Sequence, residues 1–212
     1  MNAQGLARGA ASFFFVIVLS LPFFVSCKKK EERPSANATS ATNPYSNESV
    51  FDEVKRQLDK NPKDVDAMYH LADLYDRNNQ YEEAIETYRK VVALKPTMGY
   101  AYLKMGTAYD RLNKPEEAIR EFKKAATHMP KNPVVYNNMG VAYGKLGKYH
   151  EEISSLKKAL SLRASYSAAA YNLGVTYLKV KDKKAARGAY EALKKFDEGA
   201  AEALMKEINK AS

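Results

Sequence analysis

Four tyrosines, Tyr75, Tyr109, Tyr143 and Tyr177, stand 34 residues apart along the chain, and nothing else in the sequence restricts the possible folds as much. A fixed period of that length marks a molecule built by stacking copies of one supersecondary unit, none of which can bury its apolar face alone. Further columns keep the same step. A large apolar residue followed by a very small one precedes each tyrosine, as Leu71-Ala72, Met105-Gly106, Met139-Gly140 and Leu173-Gly174. Downstream, each copy supplies a large residue in Tyr88, Phe122, Leu156 and Tyr190. With no Trp, and only 10 Gly and 8 Pro to interrupt 212 residues, the units are expected to be helical.

These columns resemble the signature of the tetratricopeptide repeat (TPR) family. The resemblance implies an all-α fold, a right-handed superhelical solenoid of antiparallel helix pairs. In it the small residues let two helices approach while Tyr, Leu and Phe fill the space between them. Four repeats are expected, over 65–98, 99–132, 133–166 and 167–200. Ala84, Ala118 and Ala186 match the small residue of the second helix, and Pro96 and Pro130 the turn that ends a repeat. Glu152 and Ala164 depart from the pattern, which predicts a looser helix contact in the third repeat. Val50, Phe51, Val54 and Leu58 share one face ahead of Asn61-Pro62, so a capping helix is expected over 48–62. A second cap over 200–212 would turn Ala203, Leu204 and Ile208 onto the last open face of the stack.

The start of the chain is of another kind. After Arg8, residues 10–25 are apolar except for Ser12, Ser20 and Pro22, and the run ends in Phe24-Val25-Ser26-Cys27. That is the layout of a signal peptide, too short for the about 20 residues a spanning helix needs. It resembles a bacterial lipoprotein precursor, with a small residue immediately before the single cysteine, although Phe24 stands where Leu is usual. The resemblance implies that residues 1–26 are removed. Cys27 would then carry a diacylglycerol and an N-acyl chain such as palmitate, anchoring the protein in the bacterial cell envelope. The outer membrane is the expected site, on its periplasmic or its surface face, and a signal segment retained as an anchor is the alternative. Lys28, Lys29 and Lys30 would lie at the headgroups. Residues 27–47 are polar and too poor in large apolar side chains to pack, so they read as a disordered tether reaching about 25 Å.

In a stack of this kind the first helix of each pair lines the concave side, where family members bind extended peptides. The expected partner-binding residues there are Tyr69, His70 and Asp73 in the first repeat, and Tyr100, Leu103, Lys104 and Thr107 in the second. The third and fourth repeats add Asn137, Asn138, Val141, Tyr171, Asn172, Val175 and Lys179. Asn138 and Asn172 resemble the start of an asparagine ladder, useful because an amide both donates to and accepts from a ligand's main chain. Arg77, Arg111, Lys145 and Lys179 form a basic column beside it.

The net charge of +9 is interleaved with acidic residues rather than gathered into a stripe, which argues against nucleic acid as a partner. His70, His128 and His150 fall on different repeats without the spacing of metal ligands. The Gly140 to Leu146 stretch resembles a phosphate loop but lacks one spacer residue and the hydroxyl that would hold magnesium. No enzyme activity, metal or cofactor is expected. The sequence therefore predicts a membrane-anchored adaptor that captures a partner segment on its concave face. The alternative is a self-associating structural scaffold for an envelope complex.

Overall fold

The computed structural model describes residues 47–211. The signal peptide expected over 1–26, Cys27 and nearly all of the tether over 27–47 lie outside the described residues. Within them are ten helices: α1 (Asn47–Lys60), α2 (Val65–Arg77), α3 (Tyr81–Leu94), α4 (Gly99–Arg111), α5 (Pro115–His128), α6 (Pro133–Lys145), α7 (Tyr149–Leu162), α8 (Ser167–Lys179), α9 (Lys183–Leu193) and α10 (Glu198–Lys210). The described chain is all-helical, and no helix in it is long and apolar enough to cross a membrane.

The helices pair as the repeat predicts, α2 with α3, α4 with α5, α6 with α7 and α8 with α9, and each pair packs on the next. Every turn inside a pair is closed by one backbone device. Asn79, Asn113, Gly147 and Lys181 are equivalent residues, and all four take a left-handed conformation, with φ of 61°, 55°, 69° and 62°. The following N–H groups, of Gln80, Lys114, Lys148 and Asp182, donate to the carbonyls of Tyr75, Tyr109, Tyr143 and Tyr177 at 2.8 to 3.0 Å. This capping pattern satisfies carbonyls that the helix end would otherwise strand, and Gly and Asn bear it at little cost. Four helix starts are capped by side chains. Asp64, Asn132, Asp182 and Asp197 each accept from backbone N–H groups of the first turn, and Pro115 and Pro133 open α5 and α6.

The small residues set how closely the helices approach. A Cβ on Gly106 would stand 2.5 Å from the Phe122 ring, and one on Gly140 would stand 3.0 Å from Leu156. Ala72, Ala84 and Tyr88 are all fully buried in one cluster. The fourth repeat differs. Gly174 faces Leu204 of α10 instead of Tyr190, and Tyr190 is only half-buried. The cause is that α9 is short, at 11 residues, and α10 packs on α8 as well as on α9. Leu204 and Ile208 of α10 are fully buried as expected of a cap, and Ala201 joins them, while Ala203 is only half-buried. At the other end, Val54 of α1 is buried and Val50, Phe51 and Leu58 pack beside it on α2.

The expected loosening of the third repeat is not observed. Glu152 is only 4% exposed, between α6 and α7, and Gly144 makes the room, since a Cβ there would stand 2.6 Å from both carboxylate oxygens. Ala164, in place of proline, leaves the connection from Leu162 to Ser167 as short as those after α3 and α5.

Candidate functional site

The first helices of successive repeats touch one another directly, α4 with α6 and α6 with α8, and the cap α10 packs on α8, so that these helices form one face of the stack. Two adjoining cavities run along it. One, of about 380 Å³, lies among Thr107, Asp110, Arg111, Asn138, Val141 and Lys145. The next, of about 340 Å³, shares Val141 and Lys145 with the first and continues to Glu152, Tyr171, Asn172, Val175, Lys179 and Glu207. Together they make a groove crossing α4, α6, α8 and α10.

Of the residues expected on this face, Asn138, Val141, Tyr171, Asn172 and Val175 are half-buried along the groove, Thr107 is half-buried with its hydroxyl on the Leu103 carbonyl, and Lys179 is at the rim. Leu103 and Asn137 are buried beneath it. The asparagines form a connected spine. Asn172 donates to Asn137 Oδ1 at 3.2 Å, across from α8 to α6, and Asn137 donates to Asn138 Oδ1 at 3.2 Å. That leaves the Asn138 side-chain amide hydrogens and the Asn172 side-chain carbonyl oxygen without a partner among the described residues, a donor at the first cavity and an acceptor at the second.

Tyr69, Asp73 and Lys104 gather at the other end of the face, beside Asp76, while His70 and Tyr100 are exposed. Lys104 Nζ lies 2.7 Å from Asp73 and 3.4 Å from Asp76, and Arg77 Nε lies 2.7 Å from Asp73. Burial alone would raise the Asp73 carboxyl, but the Lys104 hydrogen bond and the charges of Lys104 and Arg77 hold it below its ordinary value. Burial works against Lys104 too, and its two aspartates hold its ammonium above the ordinary lysine value. Burial also raises the Tyr69 hydroxyl.

The basic column is mostly committed within the protein. Arg77 pairs with Asp73, Lys145 lies 2.6 Å from Asp110, and Lys179 rests over the Tyr149 ring at 5.5 Å. Arg111 alone of the four makes no ion pair among the described residues. Sequence reasoning noticed Glu152 only as an irregularity and missed Asp110, Gly144 and Glu207 along the groove and the buried Thr176 beside Glu152. A signal existed: Gly144 stands where two other repeats have Asp76 and Asp110, and Thr176 where two have Ala108 and Ala142. Among the described residues no group of three or more His, Cys, Asp or Glu is placed to hold a metal ion.

The tetratricopeptide repeat family model matches residues 65–98, 99–127 and 134–166, and leaves the irregular α8–α9 pair unmatched. No curated protein matches the sequence. Solved structures do. PilW, a widely conserved type IV pilus biogenesis factor, is 22% identical over 78% of this chain and 78% of its own, with a TM-score of 0.68. MamA 41-end from Desulfovibrio magneticus RS-1 is 18% identical over 77% of this chain and 88% of its own, with a TM-score of 0.65. A thermophilic TPR protein from Thermus thermophilus, TTC0263, is 24% identical over 78% of this chain and 90% of its own, with a TM-score of 0.59. At these identities the likeness is one of fold. Residues 65–98, 99–127 and 134–166 are tetratricopeptide repeats, and the described chain has the fold of a tetratricopeptide-repeat solenoid.

Proposed function

We propose that the protein is a non-catalytic adaptor that captures an extended segment of another protein in the groove across α4, α6, α8 and α10, and that it is held at a bacterial envelope membrane through a lipidated Cys27. The observation that carries the first part is the asparagine spine, whose unused donor on Asn138 and acceptor on Asn172 match the alternating N–H and C=O groups of an extended main chain. Valines at 141 and 175 flank them and give a side chain apolar surface to cover. A fold of stacked repeats supplies such long shared surfaces and few enclosed pockets, which favours binding over chemistry. The membrane part rests on the apolar run ending at Ser26-Cys27, and the resemblance of fold to a type IV pilus biogenesis factor is in keeping with an envelope setting.

In-cell crosslinking with mass spectrometry tests the groove. A partner captured by wild type is expected to vanish with Asn138→Ala, Asn172→Ala, in a variant that keeps its helical circular dichroism. Partners retained unchanged would move the binding surface elsewhere, and self-association of the purified chain at micromolar concentration would favour the scaffold instead. For the anchor, Cys27→Ser is expected to abolish uptake of labelled fatty acid and release the protein from membranes. Wild type that takes up no label would sink the lipid anchor.

A further inference from the structure

Glu152 occupies the place that Ala84, Ala118 and Ala186 hold in the other repeats, and its carboxylate is buried against Gly144 at the floor of the cavity between α6 and α8. Its Oε2 has no hydrogen-bond partner among the described residues. The cations nearby do not supply one. Lys145 is committed to Asp110 at 2.6 Å, and Lys179, resting over Tyr149, comes no nearer than 4.0 Å to the other oxygen. Burial holds the Glu152 carboxyl above its ordinary value, with Thr176 and Lys179 pulling the other way without cancelling it. A charged oxygen kept out of water without a donor is an unfilled half of an interaction.

We propose that this cavity is a cation-selecting pocket, in which the ammonium or guanidinium of a lysine or arginine side chain from the captured segment bonds the free oxygen of Glu152. The identity of the ligand as a peptide rests on the groove function proposed above; the preference for a cation rests on the pocket itself. The walls suit a long side chain with a charged tip, since Val141, Val175 and Tyr171 can cover its methylenes while the head reaches Glu152. A cation is favoured over a neutral amide or hydroxyl because a charge-assisted bond to a carboxylate is about twice as strong as a neutral one. Glu207, at the mouth and paired there with exposed Lys210, adds a second negative group that an acidic side chain would have to approach.

The test uses the full chain in detergent, labelled with ¹³C at glutamate Cδ and valine methyls, and titrated with n-butylammonium, n-butylguanidinium and neutral N-propylacetamide. Both cations are expected to shift the Glu152 carboxyl and the Val175 methyls saturably, at least about tenfold more tightly than the amide, and Glu152→Gln is expected to abolish the Val175 response. Absence of a saturable shift, or an equal response to the amide, overturns the pocket. Degenerate peptide libraries then separate this inference from the groove. Wild type is expected to enrich lysine or arginine about tenfold at one position, and Glu152→Ala to lose that enrichment while keeping preferences elsewhere. Peptides bound without a basic preference overturn the pocket and leave the groove standing. Cations bound without any peptide support the pocket and overturn the groove.

Discussion

Where α2 meets α4, Asp73 lies 2.7 Å from both Arg77 and Lys104; where α7 meets α8, the closest ammonium to Glu152 among the described residues, that of Lys179, is at 4.0 Å. Burial is the largest influence on both carboxyls and pushes both upward. At Asp73 the two cations win and the carboxyl sits below its ordinary value, whereas at Glu152 burial wins and the carboxyl sits above it. The same repeat geometry thus makes one carboxylate a clasp between repeats and the other an unmet demand. The distance to a cation decides which, since the attraction that offsets desolvation weakens once the charged groups leave hydrogen-bond range.

The comparison can be broken most sharply at Lys104. Lys104→Met would leave Asp73 with Arg77 alone and Asp76 with no cation among the described residues. The expected loss is about 2 kcal/mol of unfolding free energy near neutral pH, after allowance for solvent screening, read by denaturant titration. The sign with pH follows from the two shifts. Stability from a lowered Asp73 is present above the ordinary aspartate range and is lost as pH falls through the lowered value. Stability from a raised Lys104 is present below the ordinary lysine range and is lost as pH rises through the raised value. Wild type and Lys104→Met should therefore differ most between these limits and converge in acid.

Gly144→Ala presses on the other junction. The new methyl would stand 2.6 Å from both Glu152 oxygens, and the carboxylate would have to leave its slot between α6 and α7. A loss of about 1.5 kcal/mol is expected. Adding Glu152→Ala should recover most of it, because each change then makes room for the other, and a double-mutant cycle would show the coupling directly. Additive losses would mean that Gly144 is small for a reason unrelated to Glu152.

Glu152→Gln tests the sign of the demand itself. A carboxyl raised in the folded state contributes its full stability below the ordinary glutamate range and loses it as pH rises through the raised value. The glutamine variant is therefore expected to be about 1 kcal/mol more stable than wild type near neutral pH, with the gap closing as pH falls. A variant less stable than wild type at neutral pH would show that the carboxylate already has a satisfactory partner.

The two junctions were not equally legible in the sequence. The repeat period located every helix pair because tyrosines 75, 109, 143 and 177 place their carbonyls at the closing turn of each, and a fixed role in the turn keeps a fixed place in the chain. The turn residues that complete the device, Asn79, Asn113, Gly147 and Lys181, escaped notice, since lysine is an unexpected occupant of a left-handed position. Asp73 and Lys104 were both expected on the binding face, but their pairing joins different repeats and depends on helix spacing. Glu152 stood out only as a misfit. What makes it fit is a glycine eight residues earlier on the facing helix, and compensation across a helix pair has no local sequence pattern. The fourth repeat was read as regular, but the slot opposite Gly174 was filled by Leu204 from the cap, a choice made by packing between elements.

The smallest expected change in stability is at Asn172, and it sharpens the comparison by separating what holds the repeats together from what binds. Its amide spans α8 to α6 with one hydrogen bond of 3.2 Å to Asn137, in a half-buried place where water can substitute. Asn172→Ala should therefore cost about 0.5 kcal/mol, a quarter of the loss expected at Lys104. Asn137 is buried, and its remaining bond to Asn138 keeps the spine in place. If the groove captures a main chain, removing the Asn172 carbonyl takes away an acceptor that faces the ligand, so crosslinked partner should fall several-fold while the unfolding midpoint hardly moves. A loss of stability as large as that of Lys104→Met, with partner retained, would make the asparagine spine a clasp like Asp73 and leave the binding face without its polar contacts.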